Sequence, residues 1–188
     1  MRYLTLANQL TILRMLLIPV FVLLLVYGMM GAAFATFLVA GVTDALDGLA
    51  ARASGERTAF GAWLDPMADK LLLVTAFIVL TLPAVPVVNH LPIWLTVLVI
   101  SRDVVIIAVV AVVNLAIGPR TFRPSMWGKL ATATYIVLVV VMMYFNWRRE
   151  ASMVIDALIA VALGLTAVSA GDYFLRVRKI VNEPGSAA

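Results

Sequence analysis

The sequence predicts an all-α integral membrane protein, a bundle of six transmembrane helices. Of its 188 residues, 64% are hydrophobic and 13% are charged, about half the charged share of a soluble domain. The apolar runs are long and continuous rather than alternating, which favours helices over a membrane barrel. A soluble chain of this length could not bury so much apolar side chain, so the lipid bilayer is its predicted solvent.

Six apolar segments are long enough to cross a bilayer, and turn-forming residues separate them. Gly28 and Gly31 mark the first turn, ASGERT at 53–58 the second, and the proline-containing LPAVPVVNHLP at 82–92 the third. IGPRTFRP and NWRRE mark the fourth and fifth. The alternative for the first span, a cleaved signal ending in AFA (33–35), is disfavoured because the apolar pattern continues past it. The predicted spans are 9–28, 31–54, 59–82, 91–117, 125–146 and 150–178.

The distribution of basic residues predicts that both termini are cytoplasmic. The N-terminus, the second and fourth loops and the tail carry basic residues, whereas the first and third loops carry none. Only Arg148 and Arg149, beside Glu150, oppose this trend. We expect one membrane domain over 1–180 and a short disordered tail over 181–188. The basic residues predicted on the cytoplasmic side are Arg2, Arg14, Arg52, Arg57, Arg120, Arg123, Arg176, Arg178 and Lys179.

Acidic residues inside the predicted spans are the unusual feature of this chain. An ionised aspartate at the centre of a span costs about 2.5–3.5 kcal/mol on insertion scales. A ligand or a charged partner must therefore compensate each one. Those that fall within predicted spans are Asp44, Asp47, Asp65, Asp69, Asp103, Asp156 and Asp172.

Four of these aspartates lie on the second and third predicted helices. Asp44 and Asp47 are three residues apart and Asp65 and Asp69 are four apart, so each pair shares one helix face. The short turn makes the two helices antiparallel neighbours, and the pairs should meet on the cytoplasmic side of the midplane. Four carboxylates in a low dielectric repel one another unless cations lie between them, and two divalent ions balance their charge. Oxygen ligands suit magnesium, calcium or manganese; a chain without cysteine and with a lone His90 is a poor zinc binder.

The full pattern is Asp44-x2-Asp47-Gly48-x2-Ala51-Arg52-x8-Gly61-x3-Asp65-x3-Asp69. It resembles, at every fixed position, the signature of the CDP-alcohol phosphatidyltransferase family, and the six-span layout is also similar to that family. The resemblance implies a centre of two magnesium or manganese ions held by the four aspartates, with Asp69 also acting as the general base.

The resemblance also implies a binding site for the CDP part of the lipid donor. Taken singly, Gly48 and Gly61 also fit helix packing, and Arg52 also fits an interfacial arginine. The segment NQLTILR, from Asn8 to Arg14, resembles one that lines the nucleotide pocket. The residues assigned to the CDP-lipid are Gly48, Arg52, Thr58, Gly61 and Asn8.

The implied activity belongs to phospholipid biosynthesis at the cytoplasmic face of the inner membrane. A phosphatidyl group would pass from CDP-diacylglycerol to an acceptor alcohol, with release of CMP. DPMADKLLL and NQLTILR resemble the phosphatidylglycerolphosphate synthase branch, whose acceptor is glycerol 3-phosphate. ISRDVVI at 100–106 and RPSMWGK at 123–129 resemble CMP-forming cardiolipin synthases, whose acceptor is phosphatidylglycerol. We predict glycerol 3-phosphate and keep phosphatidylglycerol as the alternative.

Either acceptor carries a phosphate, so basic residues near the predicted site are candidates to bind it. Arg102 could instead pair with Asp156 or Asp172, and the loop arginines could be plain cytoplasmic-side charge. Lys70 could simply compensate the carboxylates. The candidates for the acceptor phosphate are Arg102, Arg120, Arg123, Lys129 and Lys70.

A divalent-cation transporter is the rival function from another class, because it too needs carboxylates within the membrane. It would not need Arg52 and Thr58 beside them. Relatives of this kind often form dimers, and the small residues in GAAFA and VALGLTAVSAG could pack helices within or between chains. We therefore expect a homodimer in the bilayer. The basic residues form no single patch, so no nucleic-acid partner is expected.

Overall fold

The computed structural model describes residues 6–54, 59–117 and 125–182, which form six α-helices and no strand. Within these ranges it does not describe the side chains of residues 6–8, 44–54, 59–69, 113–114, 116–117 and 177–182. The all-α prediction is confirmed, and each helix matches a predicted span to within a few residues. The helices are α1 (Leu6–Val26), α2 (Met30–Ser54), α3 (Ala59–Thr81), α4 (Ile93–Ile117), α5 (Met126–Arg148) and α6 (Met153–Asn182).

The helices are long and apolar enough to make this a multi-pass membrane protein. Within the described residues, four candidate spans meet the length and hydropathy of a membrane crossing, and α2 and α3 supply shorter apolar stretches, Met30–Thr43 and Lys70–Thr81. Large aliphatic side chains such as Leu16 and Val97 are exposed, as expected where lipid replaces water. The four candidate spans are Gln9–Val26, Ile93–Val112, Met126–Arg148 and Met153–Arg176.

The chain divides into two compact units, and α5 contributes to both. The first unit comprises Met1–Leu91 and Val139–Ser152, and it contains α1, α2, α3 and the second half of α5. The second unit comprises Pro92–Leu138 and Met153–Ala188, and it contains α4, the first half of α5 and α6. Residues 181 and 182 of the predicted tail belong to α6, and 183–188 lie outside the described residues.

In the first unit, α1 packs against both α2 and α3. The rings of Phe21 and Phe37 lie 5.6 Å apart between α1 and α2. Ala33 and Ala40 on α2 are fully buried, and their small side chains let the two backbones approach closely. This packing makes α1 a common neighbour of the two helices that carry the aspartate motif.

A tight turn joins α1 to α2, as the glycines predict. The Met29 amide donates to the Leu24 carbonyl at 2.8 Å and the Gly28 amide donates to the Leu25 carbonyl at 3.0 Å, the pattern of a Schellman cap. Gly28 has φ of 72°, which only glycine adopts without steric cost. The same cap closes α5, where Arg149 takes the left-handed conformation with φ of 57°.

Two asparagines fasten the α3–α4 connection to the end of α5. The Asn146 side chain is 1% exposed. Its oxygen accepts from the Asn89 amide at 2.7 Å and from Asn89 Nδ2 at 3.1 Å, and its Nδ2 donates to the Asn89 carbonyl at 3.1 Å. Asn89 Nδ2 also donates to the Glu150 carbonyl at 2.8 Å. Buried amides need such partners, so this reciprocal clasp fixes the connection within the first unit.

Replacing Asn146 by alanine should lower the free energy of unfolding by about 1–3 kcal/mol, because polar groups of Asn89 lose their buried partner. Chemical unfolding in detergent micelles measures this. Thr132→Ala is the control, since within the described residues the exposed Thr132 hydroxyl bonds only the Gly128 carbonyl of its own helix, at 3.1 Å. Equal stability of the two variants would show that the clasp contributes nothing.

Candidate active site

The motif residues lie on two uninterrupted helices, as the sequence predicts. Because α2 and α3 are continuous through the motif, the i,i+3 and i,i+4 spacings place each aspartate pair on one helix face. Thr58 falls between the helices, outside the described residues. Helix α2 carries Asp44, Asp47, Gly48 and Arg52, and α3 carries Gly61, Asp65 and Asp69.

The side chains of these motif residues lie outside those that the structure describes, so their convergence stays a prediction. What the backbone shows is that both helices pack against α1. Asn8, assigned to the nucleotide pocket, belongs to α1, and its side chain is also outside the described set. The donor set fits a hard divalent cation, because four carboxylates on two successive helices supply oxygen ligands alone.

Arg14 is not a surface charge of the N-terminus, and the predicted orientation of the chain stays a prediction. The charge distribution assigns it to the basic residues of the cytoplasmic N-terminus, but it lies within α1 and its relative exposure is 1%. Thr11, one turn earlier, is equally buried. Counting charges near a chain end cannot distinguish a surface arginine from one that faces a neighbouring helix. The signal that could have identified Arg14 is its place inside an apolar run.

In the second unit, Arg102 lies in a polar cluster formed by α4, α5 and α6. Its Nη1 donates to Asp103 Oδ1 at 2.7 Å and its Nη2 donates to Ser169 Oγ at 2.6 Å. Its Nε is buried without a hydrogen-bond partner in the described part of the chain. Beside it, the buried hydroxyls of Tyr135 and Thr166 hydrogen-bond between α5 and α6 at 2.5 Å. The cluster thus neutralises the guanidinium and fixes its direction.

The alternative prediction, that Arg102 pairs with Asp156 or Asp172, is wrong. Asp172 pairs with Arg176, one turn along α6, with Nε to Oδ2 at 2.9 Å. Asp156 is exposed in the first turn of α6. The flexible arginine side chain instead reaches its sequence neighbour, Asp103, although adjacent residues on a helix do not face each other.

Gly128 leaves the space that the Arg102 guanidinium occupies. A Cβ atom at position 128 would lie 3.1 Å from Arg102 Nη2, 3.3 Å from Ser125 Oγ and 3.5 Å from Ser169 Oγ. Ser125 Oγ in turn accepts the Gly128 amide at 3.0 Å, which caps the start of α5. A side chain at position 128 would therefore push the guanidinium away from Ser169.

The remaining acceptor candidates lie on separate elements of the chain. Lys70 and Lys129 are exposed, on α3 and α5 respectively. Arg120 and Arg123 lie outside the described residues. Their role in binding an acceptor phosphate stays a prediction.

Comparison with known proteins decides the family. A model of the family described as CDP-alcohol phosphatidyltransferase matches residues 4–168, which is most of the chain and includes every motif position. The chain belongs to the CDP-alcohol phosphatidyltransferase family. It is therefore an enzyme.

Three relatives span most of this CDP-alcohol phosphatidyltransferase. A probable phosphatidylglycerophosphate synthase of Mycobacterium tuberculosis is 38% identical and covers 93% of the chain and 82% of the relative. A CDP-diacylglycerol--glycerol-3-phosphate 3-phosphatidyltransferase of Haemophilus influenzae is 35% identical over 80% of each. The CMP-forming cardiolipin synthase of Homo sapiens is 33% identical over 94% of the chain and 63% of the relative. Both branches suggested by the sequence are thus among the relatives.

Ser169→Ala should destabilise this phosphatidyltransferase by about 1–3 kcal/mol, because the nearly buried Arg102 loses a hydrogen-bond acceptor. Thermal unfolding in micelles measures the loss. Ser101→Ala is a matched control, since the exposed Ser101 hydroxyl bonds, in the part of the chain that the structure describes, only the Leu98 carbonyl of its own helix, at 3.1 Å. If the two serine variants unfold alike, Ser169 does not hold the arginine.

Proposed function

We propose that this enzyme transfers the phosphatidyl group of CDP-diacylglycerol to glycerol 3-phosphate, giving phosphatidylglycerol phosphate and CMP. The observation that carries the proposal is the complete family signature on two continuous helices that share α1 as a neighbour. Two kinds of relative named for this reaction, at 38% and 35% identity, favour glycerol 3-phosphate over phosphatidylglycerol. The product would feed phospholipid biosynthesis.

The aspartates hold the metal centre in this proposal. Asp44, Asp47, Asp65 and Asp69 would bind two divalent cations, magnesium or manganese, for which their oxygen donors are suited. Once bound, the cations would neutralise charge on the diphosphate and on the departing CMP. Gly48, the side chain of Arg52 and those of Thr58 and Asn8 would orient the CDP part, and Gly61 would leave room for it.

The chain's own chemistry is a proton transfer and a displacement at phosphorus. The Asp69 carboxylate accepts the proton of the acceptor hydroxyl. The acceptor oxygen then bonds to the lipid-side phosphorus of CDP-diacylglycerol, and the bond from that phosphorus to the CMP oxygen breaks. Because the acyl chains stay in the bilayer, this phosphorus must be reached from within membrane helices. That requirement accounts for carboxylates on α2 and α3.

The proposal includes a topology and an assembly. Six spans with both termini cytoplasmic would place the motif near the cytoplasmic face of the inner membrane, where soluble glycerol 3-phosphate is available. The basic residues of the second and fourth loops and the tail support this orientation. A homodimer is proposed because small residues such as Gly164 and Gly171 on α6 leave open space around their Cα atoms, which a second helix could fill.

The acceptor phosphate would be bound by basic residues, and Arg102 is the one whose surroundings support a specific role. Its two terminal nitrogens each donate one hydrogen bond, to Asp103 and to Ser169, and each carries a second N–H. These second donors could bind a phosphate oxygen while Asp103 and Ser169 hold the guanidinium in place. The other proposed contacts are Arg120, Arg123, Lys129 and Lys70.

A CMP-forming cardiolipin synthase is the second candidate, with phosphatidylglycerol as acceptor. The human relative with that name covers 94% of the chain. The segments 100–106 and 123–129 resemble that branch, and the first of them contains Arg102. A divalent-cation transporter remains the rival from another class, but it needs no CDP-binding residues.

The metal centre and the base are tested together. Purified enzyme should release CMP from CDP-diacylglycerol and glycerol 3-phosphate only when Mg²⁺ or Mn²⁺ is present. Asp69→Asn should lower turnover at least about 100-fold, the usual size of a lost general base. Asp156→Asn is the matched control and should retain activity, because Asp156 is exposed at the start of α6. Turnover that survives Asp69→Asn would remove Asp69 as the base.

The acceptor is tested by supplying each alcohol separately and identifying the lipid product by mass spectrometry. We expect phosphatidylglycerol phosphate with glycerol 3-phosphate and no cardiolipin with phosphatidylglycerol. Arg102→Gln should raise KM for glycerol 3-phosphate about tenfold, the value of one charged hydrogen bond, without changing KM for CDP-diacylglycerol. Cardiolipin as the sole product would establish the second candidate. Movement of divalent ions into liposomes without CDP-lipid would favour a transporter.

A further inference from the structure

Arg14 is a fully buried arginine in the middle of α1. Its relative exposure is 1%, and it is the largest of the fully buried side chains within the described part of the chain. Removing a guanidinium from water costs several kcal/mol unless an anion compensates it. Arginines inside membrane helices are rare and usually pair with a functional group. The position of Arg14 therefore calls for a nearby negative charge.

The sequence limits the residues that could supply this negative charge. Helix α1 packs against α2 and α3. These helices contain no glutamate, and their only acidic residues are the four motif aspartates. Elsewhere in the first unit, Glu150 pairs with Arg148 beyond the end of α5, at 3.1 Å, and Glu56 lies past the end of α2, outside the described residues. On the two helices that pack against α1, the anions available to Arg14 are thus the aspartates of the motif or a substrate bound among them.

The helix lengths place Arg14 level with the start of the motif. Arg14 lies about 18 Å along α1 from its end at Val26, from the helical rise of 1.5 Å per residue. Asp44 lies about 21 Å along α2 from its start at Met30. Because the Gly28 turn pairs these two helix ends, the two residues lie within about one helical turn in depth.

We infer that Arg14 is the fixed counter-ion of the aspartate centre, a positioning residue that sets its affinity for divalent cations. The inference rests on the proposed function, since it assumes that the aspartates bind cations. Two divalent ions cancel the charge of four carboxylates, so Arg14 and Arg52 together would match the two negative charges of a diphosphate. Without cations, Arg14 would offset part of the carboxylate repulsion.

The counter-ion role makes a prediction that a packing role does not. Arg14→Gln should bind Mn²⁺ more tightly, with an apparent dissociation constant about tenfold lower or more, because a positive charge near the bound ions is gone. Arg14→Lys keeps the charge and should bind within about threefold of the wild type. Isothermal titration of the full chain in micelles with Mn²⁺ alone measures both, without substrate or turnover.

Arg148→Gln is the matched control. It removes one exposed positive charge at the end of α5 and should leave Mn²⁺ binding unchanged. Thermal unfolding gives a second readout. In the presence of a chelator, Arg14→Gln should melt below the wild type, and Mn²⁺ should raise its melting temperature by more than it raises that of the wild type. A side chain that only packs would lower both melting temperatures equally.

Three results would overturn the inference. The first is Mn²⁺ affinity of Arg14→Gln that is equal to or weaker than that of the wild type. The second applies if Arg14→Gln does not fold. The double variant Arg14→Gln, Asp44→Asn removes one charge of each sign and should fold. If it does not fold either, Arg14 is not the counter-ion of the aspartates. The third is a wild-type chain that binds no Mn²⁺, which would overturn the proposed metal centre as well.

Discussion

A charge inside a lipid-embedded helix bundle must meet an opposite charge, and this constraint organises the polar residues of the protein. Arg102 is neutralised by Asp103 and held by Ser169. Arg176 pairs with Asp172 along α6. The motif aspartates are the largest instance of the same constraint, because four acids fall on two successive helices. On our proposal, cations and an arginine of α1 balance their charge.

The same constraint links the fold to the chemistry of the family. A lipid diphosphate can be cleaved without leaving the membrane only if its charge is received by groups already held at that depth. Helices supply such groups at fixed spacing, and α1 covers both of the helices that carry them. In the second unit, Gly128 and Ser169 shape the space around the Arg102 guanidinium.

Most of the fold could be predicted from sequence, because glycines, prolines and long apolar runs determine where membrane helices begin and end. The metal centre stays a prediction, which rests on the cost of aspartates in apolar helices unless they bind cations. Long-range side-chain partners could not be predicted from the sequence. Asn89 and Asn146 are 57 residues apart and resemble ordinary loop and interface residues. Arg14 resembles surface charge in the sequence, and the reach of Arg102 back to Asp103 depends on side-chain torsions that a spacing argument ignores.

The tight turn at Gly28 bears on how the chain is made. With so few residues between α1 and α2, the second helix must enter the bilayer as one arm of a hairpin whose other arm was translated first. The ribosome thus delivers Thr11 and Arg14 before any aspartate of the motif. On our inference, the nascent carboxylates would then meet a cationic partner already in the bilayer, and the order of synthesis would ease their insertion.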